Sequence, residues 1–328
     1  MYNVEKQFQV SLPASHIPTV SVDPPLVAVV GPTASGKSEL AMRIAAEFRG
    51  EVVNCDSLQV YRGFDIGTAK LMEGERRGIL HHLIDLHAPE EVFTAGEFAR
   101  VAGSVIGEIA GRGHLPVLAG GTGFYLRSLI HGLAPGPQRD EGLRGRLAAR
   151  EERRRGSLHR LLRRFDPVSA ARIHENDVPK TMRGLEICLL SREPASAVLA
   201  RERNVLEGYR VLKIGLFPPR EVLYERIRLR TERMFHRGLV AEVERLLGSG
   251  VSPRVKPFES LGYRQALQVV RGEMSVEEAI LDTALRTRQY AKRQMTWFRR
   301  EPGIEVVSGF GDDEEVIGRV LERVREFG

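Results

Sequence analysis

Leu26-Val27-Ala28-Val29-Val30-Gly31-Pro32-Thr33-Ala34-Ser35-Gly36-Lys37-Ser38 is the stretch on which the fold turns. Its first five residues are apolar, mostly β-branched and bounded by Pro25 and Gly31, the pattern of a strand buried on both faces of a parallel sheet. The last eight match G-x-x-x-x-G-K-[ST]. Beyond them Leu40, Ala41, Ile44, Ala45 and Phe48 recur at helical spacing, and Gly50 is placed to close the helix as a C-cap. Strand, loop and helix in this order make a phosphate-binding loop. The glycines let backbone N–H groups converge on phosphate oxygens, the helix N-terminus adds partial positive charge, and Lys37 adds a full one.

The same alternation continues outward. Glu51 to Cys55 reads as a second strand, Phe98 to Ile109 as a helix, and Leu115 to Ala119 as a third strand ending in Gly120-Gly121. Alternating elements of this kind predict an α/β fold: a P-loop, nucleotide-kinase-like parallel sheet flanked by helices. Residues 135–205 are rich in Arg, Glu, Leu and Ala with helical spacing, and are predicted to form an all-helical insertion. Strand character returns at Arg210 to Leu216. The expected division is a polar, Pro-containing disordered extension (1–24), a first core segment (25–134), the insertion (135–205), and a second core segment with C-terminal helices (206–328).

Composition narrows the classes. The 328 residues are 42% hydrophobic and 28% charged, which excludes disorder as the main state. No run of about 18 apolar residues and no secretory pattern is present, so the expected address is the cytoplasm, away from membranes. With only Cys55 and Cys188, and no Cys/His cluster, any metal must be held by oxygen. The net charge of +6 fits a polyanionic partner. The basic residues are 42 Arg and 7 Lys, a bias that either suits bidentate phosphate contacts or reflects genomic base composition.

The chemistry depends on what accompanies the loop. Ser38 is a candidate Mg2+ ligand, and Gly31, Thr33, Ala34, Ser35, Gly36 and Lys37 are candidate phosphate ligands. A nucleotide hydrolase would usually hold its metal with a carboxylate ending a later strand, yet Leu115 to Ala119 runs into Gly120-Gly121-Thr122-Gly123. The acid comes earlier, as Asp56 after the second strand. In a doubly wound sheet it shares a crevice with the loop, so it can take a proton, or else it caps a helix with Ser57. Thr122 enters the same crevice and either orients substrate or caps a helix. On the residues alone, a P-loop nucleoside or nucleotide kinase is a second reading, for which ADP release is the mark.

The chain also resembles the tRNA dimethylallyltransferases, or tRNA isopentenyltransferases, of bacterial type. The resemblance rests on Gly31 to Ser38, Asp56-Ser57-Leu58-Gln59-Val60-Tyr61, Asp65-Ile66-Gly67-Thr68-Ala69-Lys70, His81-His82-Leu83-Ile84-Asp85 and Gly120-Gly121-Thr122. It continues through Asn176-Asp177, Gly262-Tyr263-Arg264-Gln265 and Ala291-Lys292-Arg293-Gln294-Met295-Thr296-Trp297 in family order. It implies transfer of a dimethylallyl group from dimethylallyl diphosphate to N6 of the adenosine beside the anticodon, position 37, of tRNA. The loop would then hold the donor diphosphate and hydrolyse no nucleotide.

That resemblance assigns Asp56 as base, with Thr33, Thr122 and Arg230 in the catalytic set and Mg2+ as cofactor. Asp56, Ser57, Leu58, Gln59 and Thr122 would receive the target base, and Arg144, Lys180 and Arg183 would contact tRNA. Arg230 lies among Arg226 and Arg233, which reads equally as a solvated charged face. Arg153, Arg154, Arg155, Arg160, Arg163 and Arg164 form a basic stretch suited to RNA phosphates, or an ordinary helical surface with Glu151 and Glu152. Arg286, Tyr290, Arg293 and Trp297 share one helical face, which either stacks on bases and pairs phosphates or belongs to an ordinary amphipathic helix, and Trp297 itself is expected to be core. The paired His81 and His82 are not expected to bind metal. A monomer is expected.

Overall fold

A computed structural model describes residues 23–133, 136–201 and 206–328. The extension expected over residues 1–24 lies outside these residues except for Asp23 and Pro24, and the borders drawn at 134–135 and 205 also fall outside them.

Six strands form one all-parallel sheet. In chain order they are β1 (Pro25–Val30), β2 (Gly50–Asn54), β3 (His81–His82), β4 (Leu115–Gly120), β5 (Arg210–Leu216) and β6 (Ile304–Val307). Their spatial order is β3-β2-β4-β1-β5-β6. Strand order reverses beside β1, so a crevice opens at the carboxyl ends of β1, β2 and β4. Strand β1 is buried on both faces. Leu26, Ala28 and Val30 enter one apolar cluster, and Val27 and Val29 enter the other.

The helices divide by layer. The core helices are α1 (Lys37–Glu47), α2 (Ala95–Gly111) and α3 (Gly123–Ile130). The insertion comprises α4 (Glu141–Arg153), α5 (Ser157–Phe165), α6 (Pro167–Arg172), α7 (Val178–Ser191) and α8 (Ala195–Leu199). The chain then adds α9 (Arg220–His236), α10 (Leu239–Gly248), α11 (Tyr263–Val270), α12 (Val276–Phe298) and α13 (Glu314–Phe327). Helices α1 and α13 cover one face of the sheet through Leu40, Ile44, Ile317 and Val320. Helices α2, α3 and α10–α12 cover the other, where Phe98 stacks on Tyr125 at 4.3 Å and Phe64 meets Tyr263 edge-on at 4.8 Å. The insertion packs about its own cluster, centred on Leu158, Leu162 and Leu185. No helix among the described residues is long and apolar enough to cross a membrane.

One local expectation changes. Gly50 does not cap α1. Arg49 takes the left-handed conformation at φ 50, and Gly50 opens β2, where a Cβ would come within 2.7 Å of the Leu115 carbonyl oxygen. The chain after residue 216 is mostly helical, as expected, with Ile304–Val307 added to the sheet beside β5 as an edge strand.

Candidate active site

The phosphate-binding loop leaves β1 at Gly31, where a Cβ would lie 2.8 Å from the Leu216 carbonyl oxygen. Ala34 (φ 63) and Gly36 (φ 82) are left-handed, which curls the backbone into a concave cradle. At Gly36 a side chain would also strike the Gly311 amide at 2.7 Å, and the Gly311 N–H donates to the Ser35 carbonyl at 2.8 Å. Helix α1 begins with no side-chain cap, so its first-turn N–H groups stay available. Lys37 Nζ donates to the Pro32 carbonyl at 2.6 Å. Ser38 is exposed and lines a cavity of about 470 Å³ together with Thr33 and Lys37.

Asp56 lines the same cavity from the end of β2. It caps no helix: the segment is a turn, in which Asp56 Oδ1 accepts from the Leu58 N–H at 2.9 Å. Thr122 sits before α3 but makes no side-chain cap; its hydroxyl accepts from the Ser57 N–H at 3.2 Å, and its own N–H donates to the Cys55 carbonyl at 3.3 Å. It therefore braces the Asp56 turn from outside the cavity wall. Ser57, Leu58 and Gln59 do line the cavity, and Gln59 Nε2 donates to the Thr68 carbonyl at 3.1 Å.

A buried clamp holds the neighbouring loop. Glu242 accepts from the Ile66 N–H at 3.0 Å and from the Tyr263 hydroxyl, which in turn accepts from the Gly67 N–H at 3.1 Å. Lys70 Nζ joins Asp65 at 2.6 Å and Asp85 at 2.5 Å. A Cβ on Gly67 would strike the Tyr263 ring at 2.5 Å, which accounts for glycine there.

Helix α9 settles the reading of its arginines. Arg226 pairs with Asp312 at 2.7 Å and Arg233 is exposed, but Arg230 lines the cavity opposite Lys37 and Asp56. Burial and the Arg230 charge push the Lys37 ammonium down to about 7, against a smaller upward pull from Asp56. Arg230 is lowered too, by burial first, with Asp56 opposing and Arg233 adding to the fall. Two crowded cations, neither in a direct ion pair among the described residues and with Asp56 the nearby carboxylate, make a site suited to a phosphate group.

Helix α12 closes the cavity, a role that its sequence alone did not reveal. Thr283, Thr287, Tyr290, Arg293 and Gln294 all line it. The repeated polar residues at helical spacing in 283–294 were the available signal. The Tyr290 hydroxyl is pushed up to about 12 by burial and by the Asp56 charge, so it stays protonated at neutral pH. Trp297 is not core: it is 36% exposed, with its ring edge against Gly123 and the Arg127 guanidinium 4.8 Å from its centroid. Arg286, on the same helix, pairs with Asp282 at 2.7 Å.

The insertion separates its three assigned residues. The Arg144 guanidinium makes a two-point pair with the buried Glu186, at 2.9 and 3.0 Å, and Arg183 reaches the same carboxylate at 2.6 Å. Burial would raise Glu186, but these bonds and the Asp140 N–H hold it down at about 2. Arg144 is thus committed to the fold of the insertion and Arg183 partly so, whereas Lys180 is 72% exposed and bonds only Asp177. Arg153, Arg154, Arg155, Arg160, Arg163 and Arg164 are all exposed, and Arg155, Arg160 and Arg163 line a surface hollow.

His81 and His82 form β3. His82 Nε2 lies 2.6 Å from Glu51, whose carboxylate also meets His114 and Arg112. No group of three or more His, Cys, Asp or Glu among the described residues is arranged for a metal. Ser38, a lone hydroxyl beside a phosphate cradle, suits a hard cation that completes its shell with water and phosphate oxygens.

Comparison with known proteins agrees over about nine-tenths of the chain. A tRNA dimethylallyltransferase of Solibacter usitatus is 61% identical over 303 residues, covering 92% of this chain and 99% of the relative. The full-length tRNA isopentenylpyrophosphate transferase of Bacillus halodurans is 37% identical, covers 92% of this chain and 96% of its own, and superposes with a TM-score of 0.68. A eukaryotic dimethylallyltransferase acting on tRNA superposes at 0.80, with 26% identity over 93% of this chain and 79% of its own. With the family model described as IPP transferase matching residues 59–301, the chain belongs to the IPP transferase family.

Proposed function

We propose that this chain transfers the dimethylallyl group of dimethylallyl diphosphate to N6 of the adenosine at position 37 of tRNA, releasing diphosphate. The observation that carries this reading is the single cavity joining Lys37, Arg230 and Asp56 in a member of this family.

An exocyclic adenine amine is a weak nucleophile, because its lone pair is delocalised into the ring. It needs orientation and a proton acceptor. The amine nitrogen attacks the allylic carbon bonded to diphosphate, and the C–O electron pair leaves with the diphosphate. The N6 proton passes to Asp56, through the oxygen not engaged by Leu58. Lys37, Arg230 and the loop amides around Gly31, Ala34, Ser35 and Gly36 receive the developing charge, and Thr33 faces the donor. Ser38 would hold Mg2+, which when bound adds positive charge against the leaving diphosphate.

Ser57, Leu58 and Gln59 would receive the base once it is extruded from the anticodon loop. Lys180 and the solvent-facing part of Arg183, whose guanidinium also bonds Glu186 and the Pro137 carbonyl, would meet the RNA backbone. The enzyme is proposed to work as a cytoplasmic monomer.

The test is incubation with Mg2+, dimethylallyl diphosphate and unmodified tRNA, followed by mass spectrometry of the digested RNA for an adenosine heavier by one C5H8 unit. Asp56→Ala is expected to lower turnover by about 10²- to 10⁴-fold while sparing tRNA affinity. Retained turnover removes Asp56 as the base, and ADP release from ATP without prenylation would favour a kinase.

A further inference from the structure

We propose that Gln294 is a positioning residue that holds the diphosphate cradle and the Asp56 turn at one fixed separation, an inference that rests on the function proposed above. Its side chain is 6% exposed and both ends of its amide are used. Oε1 accepts from the Thr33 N–H at 2.9 Å, and Nε2 donates to the Gly121 carbonyl at 2.8 Å. A side chain that must accept from one loop and donate to the other within a fixed reach is an amide. The fit is close, because a Cβ on Gly121 would stand 2.4 Å from Nε2.

The sheet itself does not supply this tie. The cradle leaves β1 and Asp56 leaves β2, and these strands are not neighbours: β4 lies between them. The ladders end at Val30–Gly120 and Asn54–Ala119, below the level of both functional groups. Above that level Gln294 joins the cradle to Gly121. Thr122, the next residue, bonds the chain at Cys55 and Ser57, on either side of Asp56. The path from cradle to base is therefore Thr33, Gln294, Gly121, Thr122, Ser57, with Gln294 the link contributed by α12. Because it engages Thr33 N–H, that amide is withheld from the donor, so Gln294 sets geometry without binding diphosphate.

The experiment compares wild type, Gln294→Leu, Gln294→Glu, Thr122→Val and Gln294→Leu/Thr122→Val. Single-turnover transfer is measured at saturating donor and tRNA, beside the Kd of inorganic diphosphate, the Kd of tRNA and the thermal midpoint. Gln294→Leu is expected to slow transfer about 10- to 100-fold, the scale of an ångström's misplacement, with both Kd values within about threefold of wild type. The double variant should be no slower than the slower single, since both cut one path. Gln294→Glu keeps the acceptor for Thr33 but donates to Gly121 only when protonated. Its rate relative to wild type should therefore rise as pH falls, a signature that lost packing alone does not give. A wild-type rate in Gln294→Leu, a loss that follows diphosphate affinity, or multiplying effects in the double variant would overturn the proposal. If Gln294→Leu does not fold, the Gln294→Glu profile decides, and a flat relative rate overturns it. Absence of prenylation by the wild type would instead defeat the proposed function.

Discussion

Lys37 is the residue whose surroundings most directly set a measurable behaviour. Its ammonium is held near 7 by burial and by Arg230, far below its ordinary value. The folded chain thus binds fewer protons than the unfolded one between about pH 7 and 10.5, and this residue's contribution to stability rises with pH across that window. An arriving diphosphate favours the charged form. Donor binding should take up a proton above pH 7 and weaken as pH rises, which calorimetry in buffers of different ionisation enthalpy will read; Lys37→Ala should abolish the uptake. On the insertion, Arg144 and Lys180 should part company. Arg144→Met leaves Glu186 buried with one partner fewer and should cost about 3–5 kcal/mol, seen as a lower thermal midpoint of the insertion. Lys180→Ala should leave the midpoint unchanged and weaken tRNA binding.

At the scale of elements, the glycines of Gly120-Gly121-Thr122-Gly123 let three elements meet. A Cβ at position 120 would collide with the Cys55 carbonyl oxygen at 2.1 Å, and one at position 123 with the Trp297 ring at 2.3 Å. Gly123→Ala should push α12 away from α3 and cost about 1–3 kcal/mol, measurable by denaturant unfolding, with a loss of transfer because α12 carries Gln294. Much of this level was legible in advance. β1 and β4 are continuous apolar runs, as strands buried on both faces must be, and β5 is apolar apart from Arg210 at its start and the buried Lys213. β3, two residues long, and β6, a half-exposed edge, leave no such run, and each is a strand only because a longer neighbour offers a free ladder. For the site, the loop motif and Asp56 lay in the sequence, whereas Arg230 was marked by the family resemblance alone. The commitment of Arg144 did not, because its partner Glu186 is distant in sequence and looks like any surface glutamate until the helices pack.

For the molecule as a whole, charge is distributed by use. Many cations of the core are spent on carboxylates, such as Arg112 on Glu51 and Arg127 on Glu301. The end of α4 and the turn that follows it instead expose Arg153, Arg154 and Arg155 to solvent. Replacing these three by Gln should weaken tRNA binding and lower the slope of log K against log salt by about 0.7–0.9 for each RNA phosphate no longer neutralised, with the transfer rate at saturating tRNA preserved. An unchanged slope takes this face out of the interface.

The hydrogen bond between Gly311 and Ser35 also has a consequence for how the protein is made. The phosphate loop leaves the ribosome well before its brace, which follows tens of seconds later at ordinary elongation rates of about 5–20 residues per second. β1 waits as well, since its ladder partners β4 and β5 are translated long after it. A nascent chain halted before β5 therefore holds a strand of bare hydrophobic residues and an open cradle. Competence to hold a phosphate group is therefore expected only once Gly311 has emerged to brace the loop.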